Sequence, residues 1–283
     1  MKSLIFTGSA VAIITPFKDG AVDIPAFDRL VEWQLRCGTD AIVVCGTTGE
    51  AATLNLDERT ALIERCVRTV DHRVPVIAGS GTNNTASSIA LSRAAQHAGA
   101  DALLTVTPYY NKASKAGMVN HFMQVADAVH TPVYVYNVPG RTGVSLTYEA
   151  LAEISQHKNI VGIKEASGNM SLICQFSKLI NENFNVYSGN DDINVALMSM
   201  GGAGSISVMA NILPKEVHDI AMACQNGDFE TARKMQLKYL DFINALFIET
   251  NPIPIKEAMN MAGLNVADTD CRSARWRTTQ RLC

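Results

Sequence analysis

Val133-Tyr-Val-Tyr136 and Ile160-Val-Gly-Ile-Lys164 are short apolar runs rich in β-branched residues and bounded by turn formers, the pattern of strands buried on both faces. Similar runs stand at Val11–Thr15, Ala41–Cys45, Pro75–Ala78, Ala102–Thr107, Asn185–Ser188 and Gly204–Val208, making eight candidate strands. Between them lie stretches with helical spacing, such as Phe27-Leu30-Val31-Gln34-Leu35, Ala61-Leu62-Arg65-Cys66 and Ile89-Leu91-Ala94-Ala95-His97, several introduced by Asp, Thr or Ser caps. Strands alternating with helices every 20 to 35 residues or so imply a parallel sheet, and eight such units close an α/β fold into a (β/α)8 TIM barrel. A doubly wound open sheet is the alternative, but it wants a glycine-rich phosphate turn after its first strand, and Thr15-Pro16-Phe17-Lys18 supplies none. The helical stretches Pro214–Gln225, Phe229–Phe247 and Ile255–Met261 exceed what one barrel helix needs. A barrel over 1–210 with a small C-terminal helical appendage over 211–266 is therefore expected.

A lysine at the end of one of these runs needs a reason. An ammonium ion held in an apolar strand is costly, so Lys164 either snorkels to water or sheds its proton and becomes a nucleophilic amine near neutral pH. The second outcome is what Schiff-base chemistry on a carbonyl substrate requires. In a barrel the reacting groups come from the C-terminal strand ends and the loops after them. Those loops read Gly46-Thr47-Thr48-Gly49-Glu50, Thr107-Pro108-Tyr109-Tyr110-Asn111 and Tyr136-Asn137-Val138-Pro139-Gly140-Arg141-Thr142-Gly143, while Lys164-Glu165 ends the sixth strand. Hydroxyls, phenols, a guanidinium and an amine at one mouth suit binding a carboxylate and moving protons around an iminium. Each piece alone has a plainer reading, since Gly-Thr-Thr-Gly is turn composition and neighbouring tyrosines commonly pack.

The rest of the composition narrows the field. At 47% hydrophobic and 18% charged, with a net charge of −3, the chain has no basic face for nucleic acid. Seven scattered cysteines without a C-x-x-C pair favour reduced thiols in a cytoplasmic setting, and no window approaches a membrane span or a signal peptide. The six histidines stand singly, as surface or helix-end residues, so no metal is expected. Gly201-Gly-Ala-Gly204 reads as a tight turn into a strand, Asp191-Asp192 as a helix N-cap, and Met198, Met200 and Met209 as core filler.

Gly46-Thr-Thr-Gly-Glu50, Tyr136-Asn-Val-Pro-Gly-Arg-Thr-Gly143 and Gly162-Ile-Lys-Glu-Ala166 resemble the motifs of the dihydrodipicolinate synthase family, within the class I pyruvate aldolases. Val11-Ala-Ile-Ile-Thr-Pro-Phe17, Thr107-Pro-Tyr-Tyr-Asn111, Ser188-Gly-Asn-Asp-Asp192 and Asn251-Pro-Ile-Pro-Ile-Lys256 match as well, so the likeness runs from about Gly8 to about Val266. The resemblance implies a cofactor-free condensation of pyruvate with L-aspartate-4-semialdehyde, giving 4-hydroxy-tetrahydrodipicolinate in lysine (diaminopimelate) biosynthesis. It implies Lys164 as the Schiff-base amine and Tyr136 as the proton-transfer phenol. Thr47 would link Tyr136 to Tyr110 from a neighbouring subunit of a homodimer or homotetramer. Thr48 would hold the pyruvate carboxylate, Arg141 the semialdehyde carboxylate, and the backbone at Gly189 and Ile206 the pyruvate end. Arg141 favours that substrate over the polyol aldehydes of N-acetylneuraminate lyase or sugar-acid aldolases. Retention of the whole set argues against a catalytically silent scaffold barrel. In the family's lysine-inhibition pocket Asn83 and Tyr109 match, but Ser87, Leu56 and Arg59 replace its charged and imidazole groups, so weak or absent inhibition by lysine is expected.

After Val266 the chain departs from the family. The tail over 267–283 crowds four arginines around Trp276 where an Arg-Leu-Pro-Leu stretch and a final helix are expected. Codons can be chosen for Asp270–Thr279 whose alternative frame reads Leu-Pro-Leu-Cys-Glu-Met-Ala-Asp-Asp, so a frameshift is expected here, and the encoding DNA decides it.

Overall fold

The computed structural model describes residues 4–264 and, beyond them, the backbone of 270–271 and 274–275. Eight strands form a closed parallel barrel: β1 Gly8–Ala12, β2 Ala41–Val44, β3 Val76–Gly79, β4 Ala102–Val106, β5 Val133–Asn137, β6 Ile160–Glu165, β7 Asn185–Ser188 and β8 Gly204–Ser207. Each pairs with its successor, and β8 returns to β1 through Gly8↔Gly204 and Ala10↔Ile206. Closure needs glycine at this seam. Gly204 lies at φ +157°, and a Cβ there would come within 2.0 Å of the Gly8 carbonyl oxygen.

The first strand starts three residues before the expected Val11–Thr15, because its ladder begins at the Gly8 seam. Downstream, the Ile14 N–H donates to Asn211 Oδ1 (3.0 Å) and the Thr15 hydroxyl to the Gly49 carbonyl (2.7 Å). The apolar run thus leaves the sheet as a loop held by side chains. The other seven strands fall within a residue of the expected ends.

The crossover helices are α1 Ile24–Arg36, α2 Leu56–Val70, α3 Thr85–His97, α4 Lys115–Asp127, α5 Tyr148–Ile154, α6 Met170–Ser177 and α7 Asn194–Ser199. Capping explains several starts: Asp23, Asn84, Ser114, Thr147 and Asn169 each accept an N–H of the first turn, and Asn55 with Glu58 forms a reciprocal capping box. Strand residues alternate between two cores. Ala10, Val43, Ile77, Tyr134, Tyr136, Tyr187 and Ile206 belong to the cluster inside the barrel, whereas Val11, Ile42, Leu103, Val135 and Ile163 pack outward with Phe27, Leu62 and Phe122 of the helices.

The helical remainder comprises α8 Pro214–Gln225, α9 Phe229–Ala245 and α10 Ile253–Met261. Helix α8 packs on β1 and α9 packs on α7 and α8. The proposed boundary after 210 falls in the short turn Met209–Asn211, ahead of α8. Apart from a two-residue hairpin pairing Asp270–Cys271 with Ala274–Arg275, the reading of 267–283 as a frameshifted tail lies outside the described residues.

Three smaller expectations are corrected. Asp191 does not cap its own helix: its Oδ2 accepts the N–H groups of Val208 (2.9 Å) and Met209 (2.8 Å), bracing the turn after β8. Met200 is 41% exposed rather than core, while Met198 and Met209 are buried. His121 is buried on α4, and desolvation pushes its imidazole down to about 4.

Candidate active site

The strand register builds the site. Tyr136 and Lys164 are direct partners across β5 and β6, and the pleat sends both side chains into the barrel at its C-terminal end. The Lys164 amine sits 4.6 Å from the centroid of the Tyr136 ring. Lys164 is 5% exposed. Desolvation drives its pKa down to about 8, Asp191 pulling it up and Arg141 pushing it further down. Roughly a tenth of such an amine is neutral at pH 7, against less than a thousandth for an ordinary lysine. Burial also raises the Tyr136 phenol, which Arg141 and a hydrogen bond with Thr47 lower and Glu165 raises. The phenol is thereby kept protonated and can serve as a donor.

Gly189, in the loop after β7, makes room for the amine. A Cβ there would come within 2.9 Å of Lys164 Cε and 2.7 Å of the Ala166 Cβ. Ile206 on β8 is fully buried in the same inner cluster as Tyr136 and Ala166. Thr48, in the loop after β2, is buried and accepts a hydrogen bond from Asn251 Nδ2 (3.0 Å). Arg141, on the one-turn helix Pro139–Thr142, donates from Nη2 to the Asn251 carbonyl (3.2 Å). A cavity of ≈ 290 Å³ opens here, with Thr47, Tyr136, Arg141, Tyr109, Arg59 and Asn251 in its wall.

Tyr136 is thus in reach of Lys164, Thr47 and Arg141, Gly189 stands against the Lys164 side chain, Ile206 shares the inner cluster, and Thr48 is tied to Arg141 through Asn251; Lys164, Thr48, Gly189 and Ile206 lie outside the cavity wall. Tyr110 does not join them within one chain. Its φ is +76°, it is 84% exposed, and it does not line the cavity. Sequence reasoning missed two supports. Asn251 bridges Thr48 and Arg141, and Lys256 forms a buried ion pair with Glu50, so the loop and helix after α9 hold two of the strand-end loops. Both lie in the stretch Asn251–Lys256, but nothing local says that its partners lie between 110 and 206 residues upstream. Among the described residues no three side chains gather as a metal site.

A closed (β/α)8 barrel with a buried, readily deprotonated lysine beside a phenol at its catalytic end defines a barrel enzyme built for carbonyl chemistry. The chain belongs to the dihydrodipicolinate synthetase family, whose model matches residues 5–275. The 4-hydroxy-tetrahydrodipicolinate synthase of Clostridium novyi (strain NT) is 50% identical over 262 residues, covering 93% of this chain and 88% of that one. The solved dihydrodipicolinate synthase of Aquifex aeolicus superposes with a TM-score of 0.93 at 41% identity, covering 96% of this chain and 93% of its own. That of Acinetobacter baumannii, described as chloride inhibited and complexed with pyruvate, gives a TM-score of 0.91 at 43% identity, covering 94% and 91%.

Proposed function

We propose that this chain acts as a 4-hydroxy-tetrahydrodipicolinate synthase, condensing pyruvate with L-aspartate-4-semialdehyde through a Schiff base on Lys164, in lysine (diaminopimelate) biosynthesis. The neutral amine adds to the pyruvate carbonyl and water leaves, giving an iminium. Loss of a methyl proton makes an enamine, whose carbon bonds to the aldehyde carbon while the aldehyde oxygen takes up a proton. The substrate's own amine then displaces Lys164 and closes the ring. Tyr136 is the group that passes protons at the imine carbon and at the aldehyde, with Thr47 relaying to Tyr110 of a neighbouring subunit. Thr48 holds the pyruvate carboxylate beside the backbone at Gly189 and Ile206. Arg141 grips the carboxylate of the semialdehyde, for which a planar fork gives bidentate geometry that lysine lacks. The enzyme works in the cytoplasm as a homodimer or homotetramer, with no cofactor or metal.

The observation that carries this reading is the Lys164 amine, buried, lowered to about 8 and in contact with the Tyr136 ring. The relative complexed with pyruvate supports the first substrate, and Arg141 at the cavity wall supports a carboxylate-bearing second one. Among the described residues no helix is long and apolar enough to cross a membrane. An assay with pyruvate and each candidate aldehyde tests the reading. Turnover with L-aspartate-4-semialdehyde is expected, and a preference for a polyol aldehyde would overturn it.

A further inference from the structure

Behind the two reacting side chains stands a second matched pair. Asn137 and Glu165 follow Tyr136 and Lys164, are likewise direct partners between β5 and β6, and face away from the barrel interior. Both are 0% exposed. Asn137 Nδ2 donates to Glu165 Oε2 (2.8 Å), and the Ser167 N–H donates to Oε1 (2.5 Å). Asn137 Oδ1 accepts the Leu146 N–H (3.0 Å), which pins the loop after the Arg141 helix. Main-chain bonds continue the lattice: Ala166 N–H to the Asn137 carbonyl (2.9 Å), and Gly189 N–H to the Glu165 carbonyl (2.7 Å). One carboxyl group therefore joins the catalytic ends of β5 and β6 and the loop behind Lys164, and the strand carrying it also braces the glycine that faces the amine.

Such a group is expensive. Among the described residues no cation pairs with it. Burial pushes it above the usual carboxylate range, against the hydrogen bonds from Ser167 and Asn137. The carboxyl group is the acceptor for two buried donors, Asn137 Nδ2 and the Ser167 N–H, so an apolar side chain in that space would leave both unpaired. Two N–H donors converging on two oxygens is the pattern of an ionised carboxylate.

We propose that Glu165, clamped to Asn137, is a positioning residue that fixes the Lys164 amine against the Tyr136 phenol for proton transfer. The inference rests on Lys164 and Tyr136 acting as proposed above. The charged groups facing the phenol are Lys164 from β6 and Arg141 from the turn after β5, with Glu165 behind the sheet. The carboxylate acts on the phenol in the opposite sense to Arg141 and adds to the larger effect of burial, which keeps the proton on.

Glu165→Gln tests this, because its amide brings N–H donors to a place where two already converge, so one bond of the clamp is lost. Borohydride reduction in the presence of pyruvate should still trap an adduct on Lys164 in full. Turnover should fall about 10- to 100-fold, as a misplacement on the ångström scale gives, with KM for pyruvate little changed. In the pH profile of kcat, where the amine is already held as an iminium, the alkaline limb should move to lower pH, since a negative neighbour of the phenol is gone. Asn137→Ser, which breaks the same clamp from the other side, should lower kcat similarly and serves if Glu165→Gln does not fold. A folded variant of either kind that turns over within about twofold of the parent, with its alkaline limb unmoved, would overturn the inference. Loss of pyruvate trapping by the unsubstituted enzyme would instead sink the Schiff-base reading.

Discussion

At Lys164 the free energy of desolvation is converted into reactivity. The amine attacks only when neutral, so kcat/KM for pyruvate should rise about tenfold per pH unit up to about 8 and level off above it. Asp191 is the carboxylate that holds the proton on this amine. Asp191→Asn should therefore make the amine more acidic and move the acid limb of that profile to lower pH; an unmoved or alkaline-shifted limb would contradict the assignment. Lys164 was legible in the sequence because a charge in a β-branched run violates a strong rule, Tyr136 because it ends a predicted strand, and Thr47 and Arg141 because they stand in the loops after predicted strands and match the family's motifs. Glu165 and Asp191 were not legible in their roles. An acid after a strand, or before a helix, reads locally as a solvated end or a cap, and only the fold turns it towards Asn137 or towards the Val208 and Met209 amides.

Among the elements, the hook from α10 to the loop after β2 matters most. Lys256 and Glu50 are both buried, and the Lys256 amine also lies 4.6 Å from the Phe17 ring centroid. Lys256→Met takes the cation away from a buried carboxylate and should cost about 3–5 kcal/mol in urea denaturation. A change below ~1 kcal/mol would show that α10 is not fastened through this pair. Seven of the eight strands were legible to within a residue because parallel strands buried on both faces are nearly continuous apolar runs. The first was displaced for a reason no local pattern carries: its ladder begins at the close approach of Gly204 to the Gly8 backbone, where a side chain on Gly204 has no room, so pairing starts at Gly8 rather than at the apolar run.

For the whole molecule, the barrel and its closure follow from the count and spacing of strands, while Tyr110 stands apart from Thr47 and Tyr136 within one chain. Thr47 meets Tyr136 inside, but Tyr110 is exposed, with a backbone φ that non-glycine residues rarely adopt. If a neighbour's Tyr110 completes the relay, specific activity should drop on dilution below the assembly concentration seen by sedimentation. Tyr110→Phe should lower kcat by about 10²-fold while pyruvate still loads. Full activity in a monomer would contradict that completion. The most direct test of the chemistry is peptide mapping after borohydride reduction in the presence of pyruvate. A single pyruvate-derived adduct on Lys164, abolished in Lys164→Ala together with turnover, is the expected result; turnover without an adduct, or an adduct on another lysine, would contradict a Schiff base at this site.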